Sequence, residues 1–511
     1  MPPIEPARAV TKTELLAYLT CPEEAWLARH EPLDVPPSPL QRLAREDGEQ
    51  VDALAREYLS RPGVAESLFG CAGRVSFQEN FELPGRWSCR TDVVFRPSSG
   101  GPATLVEVKA STLKRHADGR PKPAKDHLLD LAFQRLVLTA SGCEVVGCGL
   151  LLLAPDYRLG GEEVDLEQLF AYVDVTAELA ARVRDWGESP AERVGRAAVE
   201  APSFLNGPEP PAWDYTACAN KADCRWLQRH VELPPRHVFA IPRIGGKKLA
   251  ALLENRILCV DDVPDYADLT PAQRRMVAVT QGRVRHCDQT GVRRRLRGLR
   301  YPLYFLDYET VSPALPAVSG MGPYERLAFQ FSLHIRHAPG EDCEHHEHLL
   351  HDCAQGCAPL LRYLSDYVGG EGSVIVWNKS FEHSVNESMA ATWPEYAPML
   401  RDLNDRMFDL MDVFRDECVE DYRFGGSYSI KAVLPALVPD VERGYTELEI
   451  GDGESASYTW WRLARGGFDE RDASAVRADL REYCALDTLA MVRLLDWAEG
   501  DPSATHPYVE F

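Results

Sequence analysis

Tyr301-Pro302-Leu303-Tyr304-Phe305-Leu306-Asp307-Tyr308-Glu309-Thr310 is the stretch whose reading decides the fold of the C-terminal third. The apolar run Tyr304 to Leu306 has the composition of a buried strand. Asp307 and Glu309 end it at a spacing of two, which puts both carboxylates on one face of an extended chain. A second strand-like run, Ser373 to Trp377, leads into Asn378-Lys379-Ser380-Phe381-Glu382. Further on, Tyr483-Cys484-Ala485-Leu486-Asp487 lies in a helical pattern, and its Tyr and Asp, four apart, share a face. Asp307, Glu309, Glu382 and Asp487 are four carboxylates from three elements, enough to hold two divalent ions. Such a pair clamps the attacking and leaving oxygens in phosphodiester hydrolysis. Mg²⁺ and Mn²⁺ suit the set, because hard ions prefer oxygen ligands.

The rest of the chain sets the frame. Its 511 residues exceed one ordinary core and suggest roughly three units. Apolar content of 45% and charged content of 26% are those of a soluble globular protein. No apolar run is long enough to span a bilayer, and residues 1–10 lack the apolar core of a secretory signal, so the expected location is cytoplasmic. The 14 cysteines are scattered, which argues against a disulfide framework. A net charge of -22 argues against indiscriminate nucleic-acid binding by the whole surface. A local groove is compatible with it. Arg274, Arg275, Arg283, Arg285, Arg293, Arg294, Arg295, Arg297 and Arg300 cluster just before the Asp307 strand, opposed only by Asp288. The cluster is read as a phosphate-contact surface, with Arg293, Arg294 and Arg295 at its centre.

Breaks in pattern divide the chain into residues 1–235, 236–300 and 301–500. Ala201 to Trp213, rich in Pro and Gly, is expected to break the helical pattern of Leu179 to Trp186, and Pro234-Pro235 marks a second break. From Lys247 to Gly298 short helices are expected, and Gly425-Gly426 and Gly451-Asp452-Gly453 read as turns.

The first half carries a second constellation. Arg90 to Phe95, containing Asp92, and Leu105 to Lys109 are two short strands joined by a turn. Glu107 and Lys109 share one face of the second strand. The helix that follows, from about Lys125 to Thr139, carries Asp126, Asp130 and Gln134 on one face and Leu129, Phe133 and Leu136 on another. Asp92 and Glu107 are candidate metal ligands. Lys109 is placed to orient or deprotonate water and to offset phosphate charge. Cys21-Pro22 sits in a helical pattern from Glu14 to Arg29, and Cys218, Cys224 and His230 follow far downstream at intervals of six. Cys343, Cys353 and Cys357, near His345, His346, His348 and His351, fit no metal-binding spacing.

From Tyr301 to Trp497 the three motifs resemble those of DnaQ-like exonucleases, in the subgroup with Tyr in the third motif. The resemblance assigns Asp307, Glu309, Glu382 and Asp487 to metals and Tyr483 to the attacking water, and implies 3′→5′ polarity. It places Asp409 as a carboxylate supporting the site from outside. Glu382 stands where the second motif usually has Asp. The first half resembles the PD-(D/E)XK nucleases in their RecB-like branch, with Asp92, Glu107, Lys109 and Gln134 as the catalytic set. Leu138 replaces that branch's aromatic, and Gly48 to Asp52 lacks its His. RecB-like nucleases with an iron–sulfur cluster use one N-terminal Cys and three after the core. That resemblance maps Cys21, Cys218 and Cys224 onto three ligands and His230 onto the fourth. The implied cofactor is a [4Fe-4S] cluster, with Zn²⁺ as the alternative.

Nearly the whole chain resembles a bacterial family of fused nucleases that joins these two domains. Further segments, Phe329 to His334 and Ser427 to Lys431, share the likeness. The expected fold class is α/β: an N-terminal PD-(D/E)XK nuclease-like domain, a helical Arg-rich connection and a C-terminal ribonuclease H-like mixed-sheet domain. The expected activity is metal-dependent hydrolysis of DNA or RNA that is single-stranded or has an accessible end. The alternative is a nucleic-acid-binding or assembly protein with degenerate nuclease folds. Neither a membrane nor any particular protein partner is implied.

Overall fold

The computed structural model describes residues 8–98, 101–161, 163–210, 222–415, 418–439 and 450–500, with the backbone of Tyr508 and Val509. It is an α/β protein of two compact units. The first comprises residues 1–213, 224–226 and 313–324; the second comprises 214–223, 227–312 and 325–511. The stretch 236–300 therefore falls within the second unit. No helix among the described residues is long and apolar enough to cross a membrane.

In the first unit, helices α1 (Lys12–Thr20), α2 (Pro22–His30) and α3 (Pro39–Ser60) precede the sheet. Its five strands are β1 (Gly73–Phe77), β2 (Val93–Pro97), β3 (Ala103–Thr112), β4 (Val145–Leu153) and β5 (Phe170–Asp174). They lie side by side in chain order. Only β3 and β4 are parallel, and helix α4 (Lys125–Ala140) makes that crossover. Alternation along β3 sends Ala103 and Leu105 into one core with α4, and Val106 and Val108 into another with Val51 and Ala55 of α3.

Two expectations are corrected here. The helical pattern from Glu14 to Arg29 is two helices, broken where Cys21 is extended (φ -154°, ψ 107°). Pro22 cannot donate an N–H and disfavours a helical residue before it. The helical pattern expected from Leu179 to Trp186 is helical only as far as Ala180, while α5 (Pro190–Leu205), which the sequence did not suggest, opens with a capping box between Ser189 and Glu192, carries Pro202 inside it and ends within the expected break. Val194, Ala197, Ala201 and Leu205 bury one face of it, and that packing outweighs the proline.

In the second unit, α6 (Gly246–Glu254), α7 (Pro271–Gly282) and α8 (Gln289–Leu296) come first. A short strand that the sequence did not suggest, Arg285–Cys287, pairs antiparallel with Val419–Asp421. The main sheet consists of β6 (Leu303–Val311), β7 (Leu327–Arg336), β8 (Glu344–Leu349), β9 (Ser373–Val376) and β10 (Met407–Asp409). Their order is β8-β7-β6-β9-β10. The first three are antiparallel, while β6, β9 and β10 are parallel. Helices α9 (Lys379–Thr392), α10 (Ile430–Leu437) and α11 (Glu470–Glu499) are among those that pack in this unit. The Asp452 expected in a turn instead caps a further helix, Gly453–Ala464.

Candidate active site

β6 is the central strand, buried over most of its length, and its side chains alternate. Leu303 and Phe305 enter the core shared with Ala490, Met491 and Leu494 of α11. Asp307 and Glu309 continue the same row past its apolar end. On α11 the apolar face also gives way, one turn earlier, to Asp487, Cys484 and Tyr483. The result is a cluster in which ligand oxygens of Asp307, Glu309 and Asp487 all lie within 4.8 Å of one another. Burial, reinforced by the Asp487 charge, pushes both Asp307 and Glu309 well above the ordinary carboxylate range. The Lys431 ammonium partly offsets this at Glu309.

Glu382 lies in the first turn of α9, which leaves the end of β9 beside the central strand. It stands outside the group of three, but its charge bears on Asp307 and Glu309. Burial and the neighbouring Asp409 push Glu382 up to about 8. Its Oε2 and the Tyr308 hydroxyl are buried without a hydrogen-bond partner among the described residues. A bare buried polar atom costs about 1–3 kcal/mol. Three clustered carboxylates, with the orphaned Glu382 oxygen beside them, fit divalent cations of the Mg²⁺ or Mn²⁺ type.

Asp409 ends β10 and accepts the Lys379 and Met411 amides at 3.2 and 3.1 Å. It thereby fixes the start of α9 and the position of Glu382. Tyr483 is buried, and the Lys431 ammonium donates to its hydroxyl at 3.4 Å and to the Gly451 carbonyl at 2.6 Å. Lys431 is exposed, and its ammonium reaches into the site from the surface. His334 is buried, stacks on His345 at 4.4 Å and bonds Thr488 at 2.8 Å.

The first unit gathers Glu107, Lys109 and Gln134, with two residues that sequence reasoning had not assigned. Glu107 accepts Lys109 Nζ at 2.6 Å and Lys12 Nζ at 3.0 Å. Asp130 accepts the same two ammonium groups at 2.7 and 3.1 Å. Gln134 donates to Glu107 at 2.5 Å and to Asp130 at 2.7 Å. Burial opposes the charge on Lys109, but Glu107 and then Asp130 hold it protonated above its ordinary value. Asp92 sits just ahead of β2, accepts the Val108 amide at 3.0 Å, and is raised by burial. Asp130 had a sequence signal, its spacing of four from Gln134. Lys12, 95 residues from Glu107, had none.

Of the sulfur ligands, Cys21 and Cys224 come together: the Cys224 charge contributes, after burial and Glu23, to raising the Cys21 thiol to about 11. Each also contacts a glutamate at the start of α2, Cys21 with Glu23 and Cys224 with Glu24, both at 3.6 Å. Cys218 lies outside the described residues, and His230 is exposed at the end of its helix.

The arginine cluster is dispersed. Arg285 is buried against Asp421 at 2.8 Å, Arg283 pairs with Asp261 at 3.1 Å, and Arg274 donates to the Leu269 carbonyl. Arg285 is thus corrected from a surface contact to a core ion pair. Arg293 and Arg294 are exposed in the last turn of α8, and Arg295 is half-buried.

A family model described as a domain of unknown function, DUF2779, matches residues 304–429. The match covers Asp307, Glu309, Glu382 and Asp409, and ends before Tyr483 and Asp487. No curated protein matches the chain.

Proposed function

We propose that the second unit is a metal-dependent nuclease of the ribonuclease H-like, DnaQ type, removing nucleotides from the 3′ end of single-stranded DNA or RNA. The observation that carries this reading is the convergence of Asp307, Glu309 and Asp487 within 4.8 Å at the end of the central strand. The strand order β8-β7-β6-β9-β10, with three antiparallel and then two parallel neighbours, supports it. Asp307, Glu309 and Asp487, with Glu382 beside them, would hold Mg²⁺ or Mn²⁺. Such ions, when bound, supply positive charge against the phosphoryl oxygens.

The chain's own residues do the positioning. The Tyr483 hydroxyl, held by Lys431, would orient the attacking water. Lys431 brings a cation beside an otherwise anionic cleft. Asp409 fixes the helix that presents Glu382.

The test is a denaturing gel of end-labelled single-stranded DNA and RNA, with free and blocked 3′ ends, in Mg²⁺ or Mn²⁺. Asp307→Asn should abolish cleavage and leave binding in place. Cleavage at wild-type level by that variant removes this site from the account.

A specific observation favours a different role for the first unit. Its PD-(D/E)XK-like set has Glu107 and Asp130 neutralised by Lys12 and Lys109. A cation there would compete with two ammonium groups, which supports a fold that grips nucleic acid without cutting it. Cleavage that survives Asp307→Asn and is lost on adding Lys109→Ala would assign catalysis to this unit instead. The [4Fe-4S] cluster, or Zn²⁺, at Cys21, Cys218, Cys224 and His230 remains part of the proposal. Iron, sulfide and zinc analysis after anaerobic purification decides between them.

A further inference from the structure

Between α6, α7 and the segment following β10, the second unit holds a cavity of about 640 Å³. Arg243, Lys247, Lys248 and Arg415 line it, with Gln273 and Tyr428, and no carboxylate does so among the described residues. For a chain of net charge -22 this is an unusual local excess of positive charge. Arg415 is tied to Asp412 and lies 3.8 Å from Asp409. Arg243, Lys247 and Lys248 are different: they have no ion-pair partner among the described residues, and Arg243 and Lys247 are exposed. Gly245, the N-cap of α6, lines the same cavity and brings no capping side chain. The positive end of the helix therefore adds to the field.

A chain of contacts links the cavity to the carboxylate site. Arg415 reaches Asp409, Asp409 caps α9, and α9 carries Glu382. We infer that this cavity is the path of the substrate strand, where Arg243, Lys247 and Lys248 contact successive phosphates of single-stranded nucleic acid. The inference deepens the proposed function and rests on it for the choice of ligand. The contacts are to the backbone, so they position without reading bases. Tyr428, whose hydroxyl is engaged by Glu420, adds an aromatic wall of the kind on which bases stack. This surface is distinct from Arg293, Arg294 and Arg295 on α8.

The experiment measures binding alone. Fluorescein-labelled oligodeoxythymidylate and oligouridylate are titrated with the full chain carrying Asp307→Asn, in EDTA, across a salt series. Hydrolysis plays no part, so the result stands apart from the fate of the nuclease reading. Replacing Arg243, Lys247 and Lys248 together by Ala should weaken binding about tenfold or more and flatten the log–log salt slope by about 2, at roughly 0.7 per lost phosphate contact. Lys247→Arg with Lys248→Arg keeps the charge and should bind like the parent, which separates lost contacts from lost folding. A triple variant with the parent's affinity and salt slope overturns the inference, as does a parent that binds neither probe. Retained tight binding in the triple variant combined with loss in Arg293→Ala, Arg294→Ala, Arg295→Ala would move the strand to α8 and likewise overturn it. Binding lost as expected, in a protein that cleaves nothing with Mg²⁺ or Mn²⁺, would keep this groove and refute the nuclease.

Discussion

Asp307→Asn should stabilise the metal-free protein while removing its activity. Ligand oxygens of Asp307, Glu309 and Asp487 stand within 4.8 Å of one another in a largely buried cleft. Two full charges at that distance repel by roughly 3 kcal/mol at an effective dielectric constant of about 20. Shared protonation relieves part of this, as the upward displacement of Asp307 and Glu309 indicates. The gain on neutralising Asp307 is therefore nearer 1–2 kcal/mol, about 2–8 °C in the midpoint of a unit this size. Because the chain has two units and one melting curve need not be two-state, the sharper assay is hydrogen exchange of peptides from β6 and α11. In EDTA these should exchange more slowly in the variant than in the wild type. In Mn²⁺ the order should reverse, since a ligand at a hundred times its Kd stabilises by about 2.7 kcal/mol and the variant binds it less. A variant that is less protected than the wild type in EDTA would mean that the carboxylates are not held together against their own repulsion.

Three further outcomes follow from contacts elsewhere. Gly426→Ala should destabilise the second unit by more than about 2 kcal/mol in urea unfolding, because φ there is +80° and the new Cβ would sit 2.2 Å from the Ala240 carbonyl oxygen. His334 is held down to about 4 by burial and by His345, so its folded value lies below the unfolded one of about 6.5. Stability is then intact above pH ~6.5 and lost as pH falls towards 4, by up to about 3 kcal/mol. His334→Gln should flatten that part of the stability–pH curve. Lys12→Met should destabilise the first unit by about 1–3 kcal/mol at pH 8 and by less as the pH falls, since burial and Glu107 raise the Asp130 carboxyl above its ordinary value.

The sequence disclosed what depends on near neighbours. Spacings of two in β6 and of four in α11 put Asp307 with Glu309, and Tyr483 with Asp487, and both periods are properties of a single element. Pro22 and Pro202 show where this fails: the first separates two helices and the second lies inside α5. Arg285 lay in a run of arginines that looked solvated, yet its partner Asp421 is 136 residues away and both are buried. Lys12 was silent for the same reason, since it acquires its meaning from carboxylates brought close only by the fold.

Lysine is also what separates the two carboxylate sets. In the first unit, two ammonium groups stand within 3.1 Å of Glu107 or Asp130, so the buried negative charge is answered from within the chain. In the second, Lys431 spends its hydrogen bonds on Gly451 and Tyr483, and no described cation comes within ion-pair distance of Asp307 or Glu309. Buried carboxylates without such partners must take up protons or a cation from solution. Protons would leave a site inert towards phosphodiesters. A divalent cation relieves the same repulsion and at the same time creates a place for an anionic substrate oxygen. An added cation would relieve the cost of assembling Asp307, Glu309 and Asp487, and this is why the proposed metal chemistry is assigned to the second unit.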